Sequence, residues 1–310
     1  MTRARYNVHS IAAVVLAFLA GGCGSEVVTP SADTGAGGAA GATTTATSGG
    51  FGGGGGEAGC GECPASRTCF AGECVPMIGT LILSLAETSS IDLDGKEIRG
   101  VEASLCGYDT SAGWPEGPGQ TGACVVVPGD AFAKEPPPEG GTGGVLIETA
   151  NVDTISLAAP DAGTACRREA IDQTGPLLSG THVRFEGTGG NTFPKVDADV
   201  PIPDALELDA GPLERGSPFP IGWTGSGAPP LFLLVATTGS ADDPVILCLV
   251  EDDGEVVVDG ALTAALVDAP GPAIVYAARS ETVVPSNPAG PFEVRAAVHR
   301  TDLLTVDYVP

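Results

Sequence analysis

The sequence predicts an all-β protein, and three observations support that fold class. Apolar residues occur in short runs rich in Val, Ile and Leu, which is typical of strands. The 310 residues include 46 glycines and 26 prolines, and these residues separate the runs with turn chemistry. Aromatic residues make up only 5% of the chain, and only 261–267 has a pattern that fits a short helix. We therefore expect two β-sandwich, immunoglobulin-like domains, preceded by a disordered tether and a small disulfide knot.

The predicted strands fall into two sets on either side of a proline-rich stretch. In chain order they cover 80–86, 100–106, 123–128, 144–149, 153–158 and 181–187, then 205–209, 218–224, 231–237, 244–250, 255–258, 273–279 and 292–299. Between the sets, 194–203 reads PKVDADVPIP, and prolines remove hydrogen-bond donors from a ladder. We therefore predict a first sandwich over 78–200 and a second over 201–310.

The chain begins with the pattern of a secretory signal peptide. A basic start that includes Arg3 precedes an apolar run over 11–20, which is shorter than the roughly 20 residues of a membrane span. Small residues then lead to Cys23 in the sequence FLAGGC. This stretch resembles a bacterial lipobox, although Ala20 stands where that family usually has Leu. The resemblance implies that 1–22 is removed and that Cys23 is lipidated.

The residue after the lipidated cysteine bears on the location. In Gram-negative bacteria an Asp at that position commonly retains a lipoprotein in the inner membrane, whereas this chain has Gly24. We therefore expect an outer-membrane or cell-surface protein. Residues 23–58 are rich in Gly, Ala and Thr and cannot bury enough apolar surface to fold, so they are predicted as the tether.

Export places the other eight cysteines in an oxidising compartment, so we expect them to form disulfides. Cys60, Cys63, Cys69 and Cys74 lie within 59–77 at the spacing C-x2-C-x5-C-x4-C. That spacing fits neither the paired C-x2-C elements of a zinc site nor a redox motif at the start of a helix. We predict alternate pairing, Cys60 with Cys69 and Cys63 with Cys74, as one of three possible connectivities.

The remaining four cysteines lie within the predicted sandwiches. Cys106 and Cys124 flank a turn-rich loop at the ends of two predicted strands, and we expect them to pair with each other. Cys166 and Cys248 then pair by elimination, which would join the two halves of the chain.

The cysteine module and the second half of the chain resemble predicted lipoproteins of myxobacteria and their relatives. In the module the matching residues are Cys60, Cys63, Pro64, Cys69, Gly72, Cys74 and Val75. Further along they are Gly189-Gly190, Phe193 before Pro201, Gly222-Trp223-Thr224-Gly225, Val245-Ile246-Leu247-Cys248 and Glu251-Asp252-Asp253-Gly254. The resemblance implies a two-part all-β ectodomain and no defined biochemical activity.

The charge of the chain excludes one class of partner. The formal net charge is -25, and removal of the signal peptide takes away two arginines and no acids. An acidic surface of this size repels nucleic acid and anionic lipid. We therefore expect no nucleic-acid partner, and the membrane is reached only through the N-terminal lipid.

No motif in the sequence predicts catalysis. His182 and His299 are the histidines that remain after the signal peptide; we expect both in strands or on the surface, with His299 at a strand end. The chain has no G-x-S-x-G elbow, no H-E-x-x-H helix and no phosphate loop. The acidic stretches 92–97 and 251–254 fit turns better than calcium loops, so no metal or cofactor is expected.

These observations predict a non-enzymatic envelope protein with a structural, adhesion or binding role toward a protein or carbohydrate. Trp114, in the loop between Cys106 and Cys124, is a weak candidate for ligand contact, because packing over a disulfide is the simpler explanation; Trp223 is expected in the core. The alternative function is a carboxylate-dependent hydrolase of the glycosidase kind. That activity would need two carboxyl groups roughly 5–10 Å apart across a cleft.

Overall fold

The computed structural model describes most of the chain after the cysteine module. The described residues are 67–70, 73–76, 79–91, 97–109, 122–129, 138–171, 175–225, 230–238, 240, 242–268, 271–285 and 292–310. Within them the structure is almost entirely β, with eighteen strands and one four-residue helix. The predicted all-β class is confirmed.

The strands of the described residues range in length from 2 to 18 residues. In chain order the elements are β1 (Arg67–Phe70), β2 (Glu73–Pro76), β3 (Gly79–Ile91), β4 (Glu97–Tyr108), β5 (Ala123–Val127), β6 (Val145–Thr149), β7 (Val152–Leu157), β8 (Cys166–Ile171), β9 (His182–Gly187), β10 (Val196–Pro201), β11 (Leu208–Ala210), β12 (Leu213–Glu214), β13 (Phe219–Trp223), β14 (Leu231–Thr237), β15 (Val245–Val250), β16 (Glu255–Val258), α1 (Gly260–Thr263), β17 (Pro272–Val283) and β18 (Phe292–Val309).

These strands form one large sheet, two small sheets and a hairpin within the described ranges. The large sheet has the order β5-β15-β14-β17-β18-β3-β4-β8, with β12 paired beside β18. The small sheets have the orders β10-β9-β6-β7 and β11-β13-β16, and β1 pairs with β2. Neighbouring strands are antiparallel, apart from the parallel pairs β18–β3 and β12–β18.

Both small sheets pack on the same face of the large sheet. Successive side chains of a strand point to opposite faces, so residues of β18 with even numbers share one face. Val294, Ala296 and Val298 lie in a first hydrophobic core with the four-stranded sheet. Val306 and Tyr308 lie in a second core with the three-stranded sheet. The molecule therefore contains two sandwiches, as predicted, and they share one layer.

The shared layer includes strands from both sides of residue 200. Strands β3, β4, β5 and β8 come from the first half of the chain, and β14, β15, β17 and β18 come from the second. The strand β18, 18 residues long, contributes to both cores. The boundary predicted near residue 200 therefore separates the two small sheets but passes through the large one.

The strands that the sequence did not predict share one feature, which is that they lie at the edges of sheets. The strand β8, with the sequence CRREAI, carries four consecutive exposed residues, and among the described strands it pairs with β4 alone. The strand β10 lies within the proline-rich stretch, at the edge of its sheet, and ends at Pro201. Edge strands tolerate charges and proline because one side of their backbone needs no partner. The helix α1 is shorter than the predicted 261–267 and ends at Thr263.

The predicted pairing of the four sandwich cysteines is wrong, although all four form disulfides. Cys106 bonds to Cys166 and Cys124 bonds to Cys248. Each bond joins residues that lie directly opposite each other on neighbouring strands, β4 with β8 and β15 with β5. Cys106 and Cys124 are close in sequence, but their strands lie near opposite ends of the large sheet. The disulfides therefore attach both edge strands to that sheet, and Cys124–Cys248 joins the two halves of the chain.

The cysteine module is described only in part. Backbone pairing places Cys69 opposite Cys74 in the hairpin of β1 and β2, and Cys74 is disulfide-bonded. Cys60 and Cys63 lie outside the described residues. The alternate pairing of this module stays a prediction.

Candidate functional site: an ionic seam between the two cores

Two arginines lie directly opposite each other at the centre of the large sheet. Arg279 of β17 and Arg300 of β18 are cross-strand partners, and both are buried. Their side chains lie between the two cores, on the face that carries the small sheets. Like charges directly opposite each other destabilise a sheet, so each arginine needs a carboxylate. Asp252 and Glu87 supply these, and we call the four residues the ionic seam.

Arg279 uses all of its hydrogen-bond donors. The side chains of Arg279 and Asp252 are both 0% exposed. Nε donates to Asp252 Oδ2 at 2.6 Å and Nη2 donates to Oδ1 at 2.9 Å, which is the bidentate geometry of a strong pair. Nη1 donates to the carbonyls of Asp204 and Ala205 at 3.0 and 2.8 Å, and Nη2 also donates to Thr224 O at 2.5 Å. These five hydrogen bonds match the five N–H donors of a guanidinium.

Asp252 is held from the other side as well. It lies in the bend between β15 and β16, where Gly254 has a φ of 108°. These two strands belong to different sheets, so 251–254 connects the sheets and does not form the hairpin that Asp-Gly suggested. Asp252 Oδ1 accepts a hydrogen bond from Trp223 Nε1 at 2.8 Å, and Trp223 lies in the second core as expected. The local sequence gives no sign that Asp252 is buried, because its partner Arg279 lies 27 residues further along the chain.

The second half of the seam joins Arg300 to Glu87. Arg300 Nη1 donates to Glu87 Oε2, and Nη2 donates to the carbonyl of Leu177. Glu87 Oε2 also accepts from the Leu177 N–H at 2.8 Å, and Arg99 Nη1 lies 3.5 Å from Oε1. Burial lowers the pKa of Arg300 to about 10, which leaves the side chain charged at neutral pH.

The two arginines also fix the segment that connects the small sheets. Arg300 Nε donates to the carbonyl of Pro203 at 3.3 Å, so the three successive carbonyls of 203–205 all accept from the seam. Ile202 lies in the first core and Leu206 in the second. Asp302 Oδ2 accepts from the Leu208 N–H at 2.8 Å. The connection is therefore held between the cores by buried polar groups.

A small cleft opens at the Glu87 end of the seam. Its volume is about 40 Å³ and it is lined by Glu87, Ser89, Arg99, Ala205, Leu206, Glu207, Arg300 and Thr301. Pockets that bind organic ligands usually have volumes of roughly 300–1,000 Å³. The cleft can therefore hold water molecules or a small ion, but not a sugar ring.

The two histidines have different environments. His182 is the exposed first residue of β9, and its Nδ1 lies 3.2 Å from Asp199 Oδ2. His299 lies within β18 rather than at a strand end, so that part of the prediction is wrong, and it is 1% exposed. Its Nδ1 and Ser280 Oγ are 2.7 Å apart. Burial lowers the pKa of His299 to about 4.

The outer face of the four-stranded sheet carries a ladder of exposed charges. Arg184 Nε and Nη2 donate to the two carboxylate oxygens of Asp197 at 3.1 and 3.0 Å. The Arg184 guanidinium lowers the pKa of Asp197 through this hydrogen-bonded contact. Lys195 and Glu186 form a further pair at 3.2 Å. These side chains are solvent-exposed, in contrast to the seam.

Several residues singled out from the sequence lie outside the described part. They are Cys23, Trp114 and the acidic stretch 92–96. In the residues that are described, no group of three or more His, Cys, Asp or Glu side chains is arranged to hold a metal ion. No helix within those residues is long and apolar enough to cross a membrane.

No family model matches this chain, and no curated protein resembles it at a significant level. Its function is therefore inferred from the sequence motifs and from the geometry of the seam.

Proposed function

We propose that this chain is a lipid-anchored protein of the cell envelope that displays a rigid all-β unit. The proposal places it at the outer membrane or cell surface, attached through lipidated Cys23 after removal of a signal peptide. Its role is structural or binding, toward a protein or carbohydrate, and it has no nucleic-acid partner because its net charge is -25. The immunoglobulin-like character of the two sandwiches is part of the same proposal.

The observation that carries the non-catalytic part is that the buried charged groups of the seam are bonded to one another and to backbone groups. Every N–H donor of Arg279 has an acceptor. Glu87 accepts from two arginines and one backbone N–H. A carboxylate held by several donors is stabilised as the anion, so it is a poor general acid. These groups support a role in holding the two sandwiches together.

The hydrolase alternative finds no comparable support. A glycosidase needs one carboxyl group that is protonated at working pH and a second one across a sugar-sized cleft. Glu87 is the buried carboxylate of the cleft, and its partners favour the charged form. We therefore carry forward only the non-catalytic function.

The anchor is tested by replacing Cys23 with Ser in the full-length chain. We expect the wild-type protein in the membrane fraction with incorporated palmitate, and the Cys23→Ser protein in the soluble fraction without it. Conversion of Ser25 to Ala, two residues further on, is the matched control and should change neither result. A wild-type protein that takes up no labelled palmitate would refute the anchor.

The non-catalytic role is tested with the purified full-length protein in a non-ionic detergent. We expect no turnover of model esters, peptides, phosphate esters or glycosides above the rate in buffer. A glycosidase activity that disappears when a single Asp or Glu is replaced by its amide, in a variant that stays folded, would contradict this and favour the hydrolase.

A further inference from the structure

The strand β5 forms an open edge of the large sheet. It pairs with β15 on one side, and within the described residues no strand pairs with its other side. All five of its residues are partly exposed. Nevertheless both faces are packed: Cys124 and Val126 lie against the second core, while Val125 and Val127 lie against an apolar cluster on the opposite face. The side chains of β5 therefore contact apolar residues on both faces of the sheet, and its backbone edge away from β15 is unpaired within the described residues.

The register identifies the backbone groups that point outward from this edge. The Cα atoms of Cys124 and Cys248 are 4.0 Å apart, the short spacing of a non-hydrogen-bonded pair in an antiparallel ladder. Cys124 and Val126 therefore direct their N–H and C=O groups away from β15. Such a row of backbone groups is a template for an additional strand.

The opposite edge of the same sheet differs in its side chains. The strand β8 exposes Arg167, Arg168 and Glu169, and charges on an edge strand discourage pairing with another chain. The strand β5 has the sequence ACVVV and carries no charge. Of these two edges, only β5 has the side chains of a docking edge.

Acidic residues flank both ends of β15, the strand that pairs with β5, and so lie near the two ends of β5. Val127 pairs with Val245, which closely follows the turn containing Asp242 and Asp243. At the other end, β15 runs on to Val250 and is followed by exposed Glu251 and Asp253. An apolar edge is therefore flanked by two acidic groups. Two copies joined antiparallel through this edge would bring acid against acid, which disfavours a dimer.

We propose that the outer edge of β5 binds an extended partner segment by strand addition. The segment has β-branched residues at its centre and Lys or Arg at both ends, which match the apolar edge and its acidic flanks. This inference rests on the proposed binding role, for which it names the surface and the class of partner. A β-branched segment has the strand propensity needed to continue the ladder.

The probe is a fluorescein-labelled peptide, Lys-Lys-Val-Thr-Val-Thr-Val-Lys-Lys, and its binding to the full-length protein is followed by fluorescence anisotropy at low salt. We expect saturable binding, and none for the same peptide with Glu in place of each Lys. Val126→Pro removes an outward N–H and spares the ladder to β15, so affinity should fall by about tenfold or more. Ala170→Pro likewise removes an N–H that points away from the sheet, at the edge strand β8, and should leave the affinity for the peptide unchanged.

Two further peptides test the edge without altering the protein. In each peptide alternate residues are N-methylated. One peptide loses the N–H groups along one edge of its strand, and the other peptide loses those along the opposite edge. We expect one of them to bind and the other to fail, because only one edge pairs with β5. Equal binding of both, or a folded Val126→Pro protein that binds like the wild type, overturns the proposal. So does a dimer of the full-length protein that Val126→Pro dissociates.

The outcome is separate from that of the anchor test. Failure of peptide binding leaves the labelling of Cys23 unaffected and refutes only the docking edge. Loss of the anchor, with peptide binding retained, refutes only the lipidation.

Discussion

The sharpest consequence of the structure concerns removal of Arg279. In Arg279→Met, Asp252 stays buried at 0% exposure and loses both guanidinium hydrogen bonds, while the Trp223 N–H still donates to it. Three backbone carbonyls lose a donor as well. Removal of one partner from a buried ion pair costs about 3–5 kcal/mol, because an uncompensated charge remains. With an m value of about 3 kcal/mol/M, the urea midpoint should fall by about 1–2 M.

The matched control is Arg184→Met. Arg184 also makes a bidentate pair, with Asp197, but the two side chains are 49% and 60% exposed. Exposed pairs contribute little to stability, so the urea midpoint should hardly move. Urea unfolding followed by tryptophan fluorescence compares the two variants at pH 7. Equal midpoints for Arg279→Met and Arg184→Met would refute the reasoning that burial decides the cost.

The double variant separates the charge from the packing. Arg279→Met combined with Asp252→Asn removes both charges and keeps an acceptor for Trp223. We expect it to be more stable than Arg279→Met alone, since a neutral amide costs less to bury than an unpaired carboxylate. If the double variant is the less stable of the two, the uncompensated charge is not the main cost.

Two other predictions follow from buried groups. Replacing Cys124 and Cys248 together by Ala should lower the free energy of unfolding by about 2–5 kcal/mol. This loss should exceed the loss on removing Cys106–Cys166 by roughly 0.6 kcal/mol, because Cys124–Cys248 spans 124 residues and Cys106–Cys166 spans 60. Denaturant unfolding measures both losses, and non-reducing peptide mapping checks which disulfide is absent. The pKa of His299 is lowered to about 4 in the folded protein, against about 6.5 when unfolded. The unfolded chain therefore takes up this proton first as the pH falls, so roughly 3 kcal/mol of stability present above pH 6.5 is lost by pH 4. His299→Gln should therefore weaken the dependence of the free energy of unfolding on pH over this range, whereas exposed His182→Gln should not. The same pH dependence in both variants would contradict the prediction.

Strands with a buried face are the ones that a local sequence pattern predicts. An example is β9, whose Val183 and Phe185 point inward, because its apolar residues alternate with polar ones. The strand β8 has no such pattern, because it lies at an edge and is exposed along most of its length. Its presence depends on its partner β4 and on the disulfide of Cys166, neither of which a local window contains.

Long strands were also predicted too short, and for a different reason. The predicted strands end at residues 279 and 299, whereas β17 continues to Val283 and β18 to Val309. Both predicted strands end at or next to an arginine. Arg279 and Arg300 are polar in sequence but buried in the fold, since carboxylates distant along the chain neutralise them. Arg279 and Arg300 therefore belong to the ionic seam within their strands and do not end those strands.

The sequence by itself determined the all-β class and the two sandwiches, because strand propensity and turn chemistry act over a few residues. It also indicated that the four sandwich cysteines form disulfides. Only the tertiary structure decided which cysteines pair, which sheet both halves share, and which carboxylates face the two buried arginines. The physical reason is distance along the chain. Glu87 and Arg300 meet across 213 residues, and the parallel pairing of β18 with β3 brings them together. Such long-range pairs depend on the order of the strands in the sheet, which no local pattern of residues specifies.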